Sequence, residues 1–232
     1  MYIYGKNVVK ETLKNNKKIN KAYICNDFND KDIILSLQKL NIDIKYLTKR
    51  ELERIDNNNN QGIILDVPDY EYCKLDELLV VHNPFIVILD HIEDPHNFGA
   101  IIRTCEAAGV DGIIIPKDRS VSVNSTVMKT SAGALNNIKI CMVTNLSRTI
   151  AELKEKGLWI IGTDMSNSVS YTSLDYDMPL ALIIGSEGFG MSRLVYESCD
   201  YIINIPMKGK VNSLNASVAA GISIYKIIEK RN

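Results

Sequence analysis

"LDHIEDPHNFGAIIRTCEAAGVDGIII", Leu89 to Ile115, decides the fold. It starts at the end of the apolar run "FIVILD" (Phe85–Asp90) and finishes inside another, "GIIIP" (Gly112–Pro116). Between them, "FGAIIRTCEAAG" (Phe98–Gly109) reads as a helix that ends at a glycine cap. Two fully apolar strands joined through a helix imply neighbouring parallel strands in a sheet covered on both faces. Asn97 and Arg103 are polar residues in this apolar setting, and their purpose has to be explained.

The same alternation continues outward. After "GIIIP" come a helix in "SRTIAELKEKG", a strand in "LWIIGTD", another in "LALIIGSEG", a third in "YIINIPM", and a long final helix in "NASVAAGISIYKIIEK". Towards the N-terminus the pattern is smaller. "KAYICND", "DIKYLTK" and "QGIILDV" read as short strands, with a helical "DKDIILSLQKL" between the first two. The polar run "DNNNNQG" is a turn-prone connector. The expected organisation is therefore an α/β chain with a small N-terminal unit over residues 1–70, an irregular linker over 71–82, and a parallel-sheet domain over 83–232.

Composition narrows the function. The 232 residues are 46% hydrophobic, enough for one large domain or a medium one with a small companion. No apolar run approaches the roughly 20 residues of a membrane helix, and the first residues lack the apolar core of a signal peptide, so the cytoplasm is expected. Five scattered cysteines, without a CxxC pair, point to reduced core residues and not to a disulfide framework. With 27 basic and 28 acidic residues the chain cannot coat nucleic acid by bulk charge. A local patch is available in Lys6, Lys10, Lys14, Lys17, Lys18 and Lys21, which face only Glu11; it is either a solvated helix face or an RNA contact.

The turn after "FIVILD" does not fit the GxGxxG of a dinucleotide fold. Glycines gather instead in "IIGSEGFGM" and after "YIINIPM", which puts the ligand loops in the C-terminal third.

Three ordered segments, "LDHIEDPHNFGAIIRTCEAAGVDGIII", "LALIIGSEGFGMSRLV" and "INIPMKGKVNSLNASVAAGISIY", resemble the three motifs of the SpoU/TrmH family of RNA ribose 2′-O-methyltransferases. The N-terminal unit resembles the substrate-binding domain of the RlmB branch. The resemblance implies a parallel sheet whose C-terminal segment forms a deep trefoil knot, a rare exception to ordinary chain topology. It implies S-adenosylmethionine as cofactor, no metal, a homodimer, and RNA as partner, with a guanosine ribose of large-subunit (23S) rRNA as target. A tRNA, an antibiotic-resistance rRNA site, or a catalytically silent RNA-binding role are the alternatives.

By the same resemblance the catalytic set is Asn97, Arg103, Glu187, Ser213 and Asn215, and the cofactor-binding set is Thr163, Gly185, Ile205, Met207, Ser213 and Leu214. Each has a plainer role open to it. Asn97 would cap a helix starting near Phe98, and Arg103 would pair with Glu106. Glu187 would be a turn residue among Gly185, Gly188 and Gly190, and Ser213 the cap of the last helix. Ile205 and Leu214 would pass as core. His82, His91 and His96 lack metal-ligand spacing, and Phe189 departs from the small or charged residue usual at its position.

Overall fold

Two hydrophobic patterns account for the two sheets of the structure, a computed structural model that describes residues 1–56, 59–211 and 213–231. The first unit comprises Met1–Glu71 together with Val123–Asn136. Its elements are β1 (Tyr2–Tyr4), α1 (Lys6–Lys14), β2 (Lys21–Cys25), α2 (Lys31–Lys39), β3 (Ile44–Leu47), α3 (Lys49–Ile55) and β4 (Ile63–Asp66). The strands lie in the order β1-β4-β2-β3, with β4 antiparallel to β1 and β2 and β3 parallel to β2.

Period-two alternation sorts the side chains of these strands. Ile63 and Leu65 join one buried cluster with Ile3, Val9, Ile33 and Leu37, whereas Ile64 joins a second with Tyr4, Leu47 and Leu52 on the opposite face. α3 opens with a reciprocal cap in which Thr48 and Glu51 bond each other's backbone N–H. Of the connector "DNNNNQG", Asn57 and Asn58 lie outside the described residues.

The second unit comprises Tyr72–Ser122 and Asn137–Asn232. Along the chain come β5 (Phe85–Asp90), α4 (Pro95–Ala107) and β6 (Gly112–Pro116); then, belonging to the first unit, α5 (Ser125–Thr130). There follow β7 (Ile140–Val143), α6 (Leu146–Glu155), β8 (Trp159–Thr163), β9 (Val169–Ser170), β10 (Leu180–Gly185), α7 (Arg193–Glu197), β11 (Tyr201–Asn204) and α8 (Ala216–Arg231). Seven strands pair in parallel throughout, in the order β7-β6-β5-β10-β8-β11-β9. All residues of β5 and β6 are buried, as continuous apolar runs in a doubly covered sheet require. The chain runs outward from β5 through β6 to β7 and only later fills the other side, so β5 and β10 flank the switch point where ligand sites of open α/β sheets form.

The stretch expected to be an irregular linker is part of this second unit. Cys73 pairs with Cys141 of β7 through an isolated parallel backbone β-bridge, and Leu75–Leu78 forms a turn of 3-10 helix. Leu78 is 1% exposed and lies over Gly112, where a Cβ would come within 2.4 Å of its Cδ2. Leu78→Ala should therefore cost about 2–5 kcal/mol in chemical denaturation, as a core truncation does. A change within about 0.5 kcal/mol would make this stretch a solvated tether after all.

Candidate active site

β5 and β10 pair over six residues, and the last pair is Asp90 with Gly185. Everything that follows is built on the loops leaving these two positions. Asp90 is fully buried; its Oδ1 faces Nδ1 of His91, and its Oδ2 accepts the backbone N–H of Ser192 at 2.6 Å. That bond ties the loop after β10 to the end of β5.

Beyond Gly185 the chain doubles back at once. Ser186 and Gly190 exchange backbone hydrogen bonds of 2.9 Å each, and Gly188 and Gly190 take the left-handed φ values of 82° and 67° that glycine tolerates. A Cβ on Gly185 would sit 2.3 Å from the carbonyl carbon of Gly190. The missing side chain at Gly185 thus admits the protein's own returning backbone.

On the other loop, the helix begins earlier than the sequence suggests. Asp94 is the N-cap of α4, accepting from the N–H groups of His96 (3.1 Å) and Asn97 (3.2 Å), and Pro95 occupies the first turn. Asn97 is consequently not the cap, and its side chain is left for other partners. Its Nδ2 donates to Glu187 Oε1 at 2.8 Å, and its Oδ1 accepts from Asn215 Nδ2 at 2.9 Å. Asn215 Nδ2 also donates to Glu187 Oε1 at 2.6 Å, and the Ala216 N–H reaches the same oxygen at 3.1 Å. One carboxylate oxygen therefore gathers donors from the starts of α4 and α8. The cap of α8 is Asn215, whose Oδ1 accepts from Ser217 N (3.0 Å) and Ser217 Oγ (2.6 Å), and not Ser213. Asn212, in the same segment, lies outside the described residues.

Two cavities open around this knot of bonds. One, of about 420 Å³, is lined by Thr163, Gly185, Ile205, Met207, Ser213 and Leu214. Its lining also includes Ser223, whose Oγ is buried and has no hydrogen-bond partner among the described residues. The six residues proposed for the cofactor thus border a single space, and Ile205 and Leu214 are wall residues more than core. The second cavity, of about 530 Å³, is lined by Asn97 and Glu187 together with His91, Arg119 and Phe189. Ser186, Glu187 and Gly190 border both, so the loop is a shared wall.

Arg103 lines neither cavity. It lies six residues beyond Asn97 on α4, about 9 Å along the axis and turned by about 240°. The side chain is exposed and makes no hydrogen bond or ion pair among the described residues; Glu106, the expected partner, instead accepts from Asn137 Nδ2 at 3.1 Å.

The thiols are poorly suited to act as nucleophiles. Burial raises those of Cys73 and Cys105, and it pushes Cys141 to about 11 and Cys199 to about 12; a hydrogen bond to Asp27 raises Cys25. In the first unit, three of the six N-terminal lysines are engaged internally. Lys10 pairs with Asp30 (3.1 Å), Lys21 with Asp43 (2.6 Å), and Lys6 stands 5.2 Å over the Phe28 ring. Lys14, Lys17 and Lys18 are exposed. Among the described residues, no helix is long and apolar enough to cross a membrane, and no group of three or more His, Cys, Asp or Glu is placed to hold a metal.

Asp90 and Arg119 escaped the sequence reading. Asp90 carries a weak signal, a carboxylate closing an apolar strand; "PKDRS" around Arg119 carries none.

Comparison with known proteins agrees with this geometry. Residues 84–225 match the model of the SpoU rRNA Methylase family, and residues 2–73 match that of the RNA 2′-O ribose methyltransferase substrate-binding domain. A protein of Bacillus subtilis (strain 168) assigned to the TrmH family of tRNA/rRNA methyltransferases is 46% identical over 239 residues, covering 100% of this chain and 96% of the relative. A Staphylococcus saprophyticus relative of the same assignment is 45% identical, over 99% of this chain and 96% of its own. Among solved structures, the SpoU methyltransferase AviRb from Streptomyces viridochromogenes, in complex with AdoMet, aligns with a TM-score of 0.84 at 21% identity, over 100% of this chain and 90% of that one. The TrmH/SpoU tRNA modifying enzyme of A. aeolicus is 33% identical with a TM-score of 0.59, covering 67% of this chain and 79% of its own.

The two asparagine-or-aspartate positions of α4 can be separated by substitution. Asp94→Ala should lower stability by about 1 kcal/mol through loss of the cap. Asn97→Ala should cost a comparable amount by another route, through its bonds to Glu187 and Asn215, and only this loss should shrink when Glu187 is already replaced by Ala. An Asn97→Ala loss unchanged in the Glu187→Ala background would overturn that assignment. Gly185→Ala should displace the 186–191 loop and remove ligand binding to the smaller cavity, with calorimetry as the readout; unchanged binding would mean that the loop closes elsewhere.

Proposed function

The chain belongs to the SpoU methylase family, and from that premise we propose that it transfers the methyl group of S-adenosylmethionine to a ribose 2′-oxygen of RNA, with a guanosine of large-subunit (23S) rRNA as the target. The observation that carries this reading is the juxtaposition of the two cavities across the loop that bears Glu187. A donor on one side and an acceptor on the other is the geometry a direct displacement needs.

The smaller cavity fits the cofactor. Its volume is in the range of small-molecule sites, Ile205, Met207 and Leu214 offer apolar surface to an adenine, and Ser223 Oγ is a buried polar atom still in need of a partner. The AdoMet complex of AviRb, which shares the fold, supports the same choice. When bound, S-adenosylmethionine supplies a methyl on a sulfonium, already a good leaving group, so the chain has to align the acceptor and help remove the hydroxyl proton. The ribose 2′-oxygen would accept that methyl and give up its proton to a water held by Glu187. Glu187, fixed by three donors to one oxygen, is held rigidly enough to orient that hydroxyl or to take its proton through water.

Arg103 has a different part. A guanidinium is a poor base, and its free, exposed side chain suits a contact with RNA phosphate. Because it lines neither cavity of its own chain, the reading includes a homodimer in which Arg103 serves the partner's site. The trefoil knot, the role of residues 1–70 as the RNA-holding domain and a cytoplasmic location complete the proposal, the last in keeping with five unpaired cysteines. A tRNA target is the second reading, favoured by the A. aeolicus tRNA modifying enzyme and by the joint tRNA/rRNA assignment of the bacterial relatives.

Mapping 2′-O-methyl sites in rRNA and tRNA from cells with and without the gene tests the reaction and the target together. Loss of one 23S guanosine methyl is expected; loss of a tRNA methyl selects the second reading, and unchanged maps reject both. Arg103→Ala should leave cofactor affinity intact while turnover collapses. If the site is composite, mixed dimers of Arg103→Ala and Asn215→Ala subunits should recover part of the activity both parents lack. Inactive mixed dimers, with subunit exchange demonstrated, would put both residues in one chain's site.

A further inference from the structure

The larger cavity contains two side chains that neither the Glu187 network nor the helix caps engage. Phe189 is 94% exposed at the tip of the 186–190 loop, between two glycines in left-handed conformation. An aromatic ring has a cost in water and gains nothing there for folding, so its place at a cavity rim calls for a partner that covers it. Arg119 also lines this cavity, with no hydrogen bond or ion pair among the described residues. Its backbone takes φ 50°, a conformation uncommon outside glycine, which a functional position can sustain.

Charge sharpens the choice. Glu93, Asp94 and Glu187 also line the cavity, and among the described residues Arg119 is the only Lys or Arg that does. Asp94 is spent on the helix cap and Glu187 Oε1 on its three donors. A lone unpaired guanidinium among carboxylates can hold an anion only at the one point it reaches, which suits a single phosphate better than a polyanionic stripe. The exposed aromatic of Phe189 in the same lining offers a flat base a face to stack on.

Resting on the methyltransferase reading above, we propose that Arg119 and Phe189 form a clamp for the nucleotide that receives the methyl group. Phe189 stacks on its base or on that of its immediate neighbour, and Arg119 holds its phosphate by charge-assisted hydrogen bonds. The ribose between them is thereby presented to Glu187 and to the loop that separates the two cavities. Phosphate capture at this site then comes from the same chain as Glu187, while Arg103, which lines neither cavity, is free to act elsewhere. The aromatic platform gives the loop a means of selecting an unstacked base, as sequence-specific recognition of RNA requires.

The test uses the full-length protein, S-adenosylmethionine with a labelled methyl, and rRNA and tRNA extracted from cells lacking the gene. Arg119→Gln should raise KM for RNA about tenfold to a hundredfold, with little change in kcat and with cofactor affinity by calorimetry unchanged. Its RNA binding should also lose about one unit from the slope of log affinity against log salt, and Arg119→Lys should restore part of it. Phe189→Ala should raise KM about tenfold at an unchanged salt slope, and Phe189→Tyr should behave like the parent. Both side chains are exposed, so the variants should fold normally. If the parent methylates this RNA and either variant stays within twofold, the clamp is wrong while the methyltransferase reading stands. An affinity loss in Arg119→Gln without a change in salt slope also overturns the phosphate assignment. A parent that methylates none of this RNA removes the methyltransferase reading and the clamp with it.

Discussion

Glu187 Oε1 is the point on which the site depends. A single carboxylate oxygen accepts the side-chain amides of Asn97 and Asn215 and the backbone N–H of Ala216, and thereby joins the loop after β10 to the first turns of α4 and α8. These three elements come from segments 28 to 118 residues apart in the chain. Both asparagine side chains and the Ala216 N–H converge on this one oxygen because a carboxylate offers acceptor sites only, with no N–H of its own to turn a donor away. The three donors also explain why two asparagines are needed: each side chain offers a donor to the carboxylate while its oxygen accepts elsewhere, from Asn215 in one case and from Ser217 in the other.

The carboxylate can be fixed this way only because the backbone beneath it is fixed first. The pairing of β5 with β10 sets Asp90 against Gly185, and Asp90 Oδ2 then pins the N–H of Ser192 at the far end of the loop. Gly185 has no Cβ, so the returning Gly190–Met191 backbone can pass over it at a distance no other residue would allow. A buried carboxylate without such a partner would be costly, and here the cost is offset by a bond that shapes the site. The shared wall between the two cavities follows directly from this short, doubly anchored loop.

Much of the fold was legible because buried parallel strands announce themselves. "FIVILD", "GIIIP" and "LALIIG" are continuous apolar runs, and each became a strand with nearly those limits. Short elements were not legible: β1 and β9 have three and two residues, too few for any period to emerge. The segment Val123–Asn136 belongs to the first unit although it lies deep in the second half of the pattern, since contact across such a separation leaves no trace in local sequence. At the site, the motif residues were visible but their local duties were misjudged. Asp94-Pro95 outcompetes Asn97 for the helix start, because a carboxylate cap ahead of a proline in the first turn satisfies two N–H groups and loses none. Asn215 displaces Ser213 as the cap of α8 in the same way.

These displacements have a common consequence. A residue that caps a helix is committed by its side chain, whereas one placed just inside the first turn inherits the rigidity of the helix and keeps its side chain free. Asn97 gains that freedom from Asp94 and directs it towards Glu187. Asn215 performs both duties at once, with its oxygen on the helix and its nitrogen on the carboxylate. The wall between the cavities is therefore held by groups that also end or begin regular structure, so that small rearrangements of the site are resisted by the helices themselves. On the function proposed above, the reacting atoms meet at the edge of this wall, and their alignment benefits from its stiffness more than from any single bond.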